Sequence, residues 1–139
     1  MEQTASAKQF ASILAENESS WRAYSKDIAS CAYDEIVATD TAAKIHAMTC
    51  TITAATVTMQ AKNATRDILK LPKPAPEVKD LVDRTIAALG PLSKTGADTA
   101  CMGSGAATSS KCDDAETAAN GAIRGVISVL DAWRPYMGN

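Results

Sequence analysis

Four cysteines constrain this chain more than any other feature. They stand at Cys31, Cys50, Cys101 and Cys112, with no Cys-x-x-Cys among them, so the usual zinc-ribbon and thioredoxin spacings are missing. Four cysteines allow three pairings, but their positions favour one. The centre of Cys31 and Cys50 falls between Asp40 and Thr41, in the polar break Thr39-Asp40-Thr41. The centre of Cys101 and Cys112 falls inside GSGAATSS, a turn by composition. In an antiparallel hairpin, residues equidistant from the turn stand at the same height. The spacing therefore predicts Cys31–Cys50 and Cys101–Cys112, each tying one helical hairpin. By the chain-entropy model each closed loop contributes about 3 kcal/mol. Two bridges imply an oxidising location, secreted or at the cell envelope. The alternative is four reduced, buried cysteines in a cytosolic protein. The opening MEQTASAK has no basic start followed by an apolar run, so the expectation is an exported protein whose signal peptide is not in this chain.

Hairpins of that kind need helices on both sides of each turn, and the apolar period supplies them. The first helix is expected from Ser6 to Ala38, with Phe10, Ile13, Leu14, Trp21, Tyr24, Ile28 and Ile36 at helical spacings. Glu16 to Ser19 mark an exposed face or a kink within it. The second starts near Asp40 or Thr41 and carries Ile45, Met48, Ile52, Ala55 and Met59 at steps of three and four. Its stretch CTITAATVTM is rich in β-prone residues, yet its flanks are helical in character and a lone strand would lack a partner, so a helix is predicted. Cys50 lies nearly opposite the large-residue stripe, among Ala47, Ala54, Val57 and Ala61. That small-residue face permits the close approach a disulfide needs. Pro72, Pro74 and Pro76 stop the second helix, and Pro76 suits the first turn of the third. Val78, Leu81, Val82, Ile86 and Leu89 line the third helix, which Gly90-Pro91 should kink or interrupt before Leu92 to Met102. The fourth opens at Ser110-Lys-Cys-Asp113 and runs through Ala119, Ile123, Val126, Leu130 and Trp133 until Pro135.

These segments predict an all-α chain, an antiparallel up-down-up-down four-helix bundle in a single domain over 1–139. Its length suits one core, and with aromatics at 4% that core must be built from Ala, Ile, Leu, Val and Met. A net charge of −2 supplies no basic footprint for nucleic acid. No stretch approaches the roughly 18 apolar residues of a membrane span.

The chemistry-bearing residues are few. His46 is the single histidine and stands four residues before Cys50, which is ligand spacing on a helix face. An oxidised Cys50 is no longer a thiolate, however, so no metal is expected and His46 flanks the helix interface. Haem would need Met48, Met59, Met102, Tyr24 or Tyr33 as ligands; C-x-x-C-H is missing and no cofactor is expected. Glu-x-x-His and G-x-S-x-G are missing too. Asp34-Glu35 and Asp113-Asp114 point about 100° apart on a helix, which defeats a shared carboxylate site. No catalytic residue is therefore named. The candidate interface is Trp133, Arg134, Tyr136 and Met137, a group of large amphipathic side chains with an arginine. Against it, Trp133 can simply close the end of the bundle. The function expected is a non-enzymatic interaction or adaptor module whose partner is another protein. The alternative is a carrier of an apolar ligand or haem between the helices.

Overall fold

The structure is a computed structural model that describes residues 3–37, 41–102 and 110–137. Among the described residues the chain is all-helical, and β pairing is limited to one bridge between Ala5 and Pro74. The turns expected at Thr39-Asp40 and across most of GSGAATSS lie outside the described residues.

The first expected helix is two. Ser6 caps α1 (Ala7–Ala15): its hydroxyl accepts from the Gln9 amide while the Gln9 side chain accepts from the Ser6 amide, a reciprocal capping box. The chain then turns at Glu16-Asn17, where the Asn17 amide closes a tight bond on the Leu14 carbonyl at 3.1 Å. The Asn17 carbonyl in turn accepts from Trp21, and α2 (Glu18–Val37) begins at once. This change of direction lets Phe10 and Leu14 on one side, and Trp21 and Tyr24 on the other, all reach the core.

The β-prone second segment is the longest helix, α3 (Thr41–Lys70). Its threonines reconcile composition with conformation. The hydroxyls of Thr49, Thr53, Thr56 and Thr65 each donate to the carbonyl four residues back, at 2.8–3.0 Å. A β-branched residue whose oxygen is satisfied by its own helix loses much of its reason to prefer a strand.

After the prolines, a 3₁₀ turn (Pro76–Val78) leads into α4 (Lys79–Ser93). Helix α4 is not interrupted at Gly90-Pro91; it continues one turn further. The break comes instead at Gly96, whose φ of +81° only glycine adopts without strain. Continuation towards Met102 is limited to the short α5 (Ala97–Ala100). Helix α6 (Ser110–Trp133) and a 3₁₀ turn (Arg134–Tyr136) complete the chain. No described helix is long and apolar enough to cross a membrane.

The long helices pack in a closed sequence of neighbours: α2 on α3, α3 on α4, α4 on α6, and α6 back on α2. Between them lies one core that includes Leu14, Trp21, Tyr24, Val57, Leu89, Leu92, Ile123, Val126, Leu130 and Trp133. At one end the N-terminal strap joins it: the Ala5 amide donates to Lys73 and the Ala75 amide to Ala5, at 2.9 and 3.0 Å. Phe10 there stands 6.2 Å from Trp133, centroid to centroid.

Candidate functional site

Both disulfides form as the spacing predicts. Cys31 on α2 bonds Cys50 on α3 with Cα atoms 5.8 Å apart, and Cys101 bonds Cys112 with Cα atoms 4.8 Å apart. All four are buried, and none is a free thiol. His46 joins the first pair: one of its ring nitrogens and the two sulfurs all lie within 4.8 Å of one another. The i, i+4 step along α3 puts His46 and Cys50 on one side of the helix, and α2 brings Cys31 against them. His46 is half-buried over two cysteines that are each 3% exposed.

The C-terminal group divides. Trp133 is fully buried and its indole N–H donates to the Thr85 hydroxyl at 2.7 Å, so it closes the core rather than offering a contact surface. Met137 is half-buried against the same core. Arg134 and Tyr136 remain exposed, Tyr136 packed edge-on to Trp133 at 5.6 Å. Arg134 meets Asp131, which also pairs with Arg22 of α2. Hydrogen bonding to Glu18 holds the Arg22 guanidinium above its ordinary range; burial opposes it, and the hydrogen bond to Asp131 adds to the rise.

The largest surprise is on α3. Cys50, Ala54, Val57, Ala61 and Ala64 are all buried, whereas Ile45, Met48, Ile52 and Met59 are 46–58% exposed. Between Ile45 and Met59 the large apolar residues face out and the smaller ones face in. At 100° per residue the four exposed side chains fall within about 60° of one another, and at 1.5 Å per residue they run about 21 Å along the helix. Thr49 and Thr56 lie beside them with hydroxyls committed to their own helix. No charged residue interrupts the stripe. Ala55, which the period grouped with these residues, is buried instead. The signal was present in the sequence: the disulfide requires the Cys50 face to be inward, and that turns the opposite face outward.

A cleft of about 190 Å³ lies elsewhere, beside the proline segment, lined by Phe10, Ile68, Leu71, Pro74, Val82 and Ile86 among others. Asp113 and Asp114 are exposed, and the side chains of Tyr33, Asp34 and Glu35 lie outside the described residues. No protein-family profile, characterised protein or solved structure matches the chain.

Proposed function

We propose that the chain is a non-enzymatic, extracytoplasmic interaction module that offers the outer face of α3 to a partner protein. The scaffold is an up-down-up-down four-helix bundle with α5 as an accessory turn. Support for that topology comes from the closed order of neighbours α2, α3, α4 and α6. A bend at Gly90-Pro91 belongs to the same proposal, since Pro91 has no amide proton for the Ala87 carbonyl. The extracytoplasmic assignment rests on the two disulfides.

The observation that carries the function is the stripe of Ile45, Met48, Ile52 and Met59. Single exposed apolar residues are ordinary; an uncharged row of them along one helix face marks a recognition surface. Methionine adds an adaptable, polarizable contact. Covering roughly 400 Å² of such surface contributes on the order of 10 kcal/mol before the cost of association, which offsets much of it. An amphipathic helix laid along α3 is the partner shape that fits.

A photoreactive residue at position 52, in the native host, tests the proposal, with position 124 on α6 as the control. A discrete protein adduct from position 52 alone, lost in Met48→Lys, is expected. No adduct, or the same adducts from both positions, would sink it.

The carrier alternative has the 190 Å³ cleft in its favour. That is smaller than the roughly 300–1,000 Å³ of small-molecule sites. Met48, Met59 and Met102, the sulfur ligands haem would need, are about half exposed rather than aimed inward. The interaction module is therefore preferred.

A further inference from the structure

A metal site asks for electron-pair donors that converge on one point, and zinc favours thiolate and imidazole at about 2.0–2.3 Å. Cys31, His46 and Cys50 meet that requirement in everything but oxidation state. Their three donor atoms already lie within 4.8 Å of one another. Atoms bound to one tetrahedral ion at these lengths stand about 3.3–3.8 Å apart. Breaking the S–S bond frees the two Sγ atoms to part to that separation and bind the same ion. The backbones are already close, with the Cα atoms of Cys31 and Cys50 5.8 Å apart, so the parting is asked of the side chains.

We infer that Cys31, His46 and Cys50 form a redox-gated Cys₂His site, which in the dithiol state takes a thiophilic closed-shell cation, Zn²⁺. Reduction by an external dithiol breaks the S–S bond; two electrons and two protons convert it to two thiols, and the reductant leaves as its own disulfide. Zinc then binds both sulfurs as thiolates, releasing the two protons to solvent. His46 donates a neutral ring nitrogen. Because His46 is half-buried, it opens the site towards solvent, where water or an outside ligand takes the fourth position. Disulfide and metal exclude each other: an external disulfide that takes up the two electrons, and two protons from solvent, leaves as its dithiol while the S–S bond re-forms and the ion is expelled. The scaffold does not hang on the bridge alone: α2 and α3 pack together, and the Trp21 indole donates to the Val57 carbonyl at 3.4 Å. Cys101 and Cys112 supply the internal control, since among the described residues no third donor joins them in such a cluster.

The full chain is reduced with a phosphine, desalted anaerobically and titrated with Co²⁺, followed by Zn²⁺ competition. One Co²⁺ per chain with thiolate-to-metal charge-transfer absorption is expected, displaced by Zn²⁺. Cys31→Ser should abolish that absorption, His46→Ala should weaken binding at least about tenfold, and Cys101→Ser/Cys112→Ser should retain it. Should that double variant fail to fold, Cys31→Ser and His46→Ala still decide. The inference is overturned by no binding, by undiminished binding in His46→Ala, by binding that survives Cys31→Ser, or by a reduced chain that unfolds and is not restored by Zn²⁺.

Discussion

At Thr85 a single hydroxyl serves two helices. It donates to the Leu81 carbonyl at 2.7 Å and accepts the Trp133 indole N–H, all in the core. Thr85→Val keeps the shape but leaves the indole donor buried and unpaired, a loss of about 1–3 kcal/mol readable by chemical denaturation. Glycines differ by conformation. Gly96 sits at φ +81°, so although nothing stands within 4 Å of an added Cβ, Gly96→Ala should destabilise by about 1 kcal/mol. Gly121 lies within α6 with equally open surroundings, and Gly121→Ala should stabilise by about 0.5–1 kcal/mol. Opposite signs in parallel denaturation curves check both. Individual roles of this kind were only partly legible beforehand. Trp133 was foreseen either as a closing residue or as a contact, and its partner at position 85 has no signature in the letters.

At the scale of the element, α3 inverts the usual rule that large apolar residues face inward over the stretch from Ile45 to Met59. Its apolar period was plain, but periodicity defines faces without saying which one is covered. Cys50 resolves the choice, because its bridge to Cys31 brings α2 within 5.8 Å between Cα atoms. Only the alanine-lined side lets a neighbour come that close. Two substitutions two residues apart should therefore differ sharply in cost. Ala61→Leu forces extra volume into a fully buried position and should cost about 1–3 kcal/mol. Met59→Lys, at a position 46% exposed, should change stability by less than about 0.5 kcal/mol. Thermal unfolding of the pair distinguishes the two faces. Helix α1 makes a related point: Glu16-Asn17 was visible as punctuation, but whether it ends a helix depended on where Phe10 and Trp21 had to go.

For the whole molecule, the two bridges act at different places. Cys31–Cys50 ties α2 to α3, and Cys101–Cys112 ties the end of the α4–α5 segment to α6. Closing the latter loop, with a sequence separation of 11, removes unfolded-state freedom. The Cys101→Ser/Cys112→Ser variant should accordingly lose about 3 kcal/mol while keeping its helical circular dichroism, since α4 and α6 share the core directly. Loss of helix at low temperature would show instead that the bridge is needed to form the fold.

Helical class, the disulfide pairing and the proline stop were determined by the sequence itself, because each depends on local spacing: apolar period, distance from a turn, a missing amide proton. Where the first helix divides, and the meeting of His46 with two sulfurs, were decided only by tertiary structure. Each of those depends on what a second, distant segment leaves uncovered or brings near, and burial is a property of the neighbours rather than of the residue.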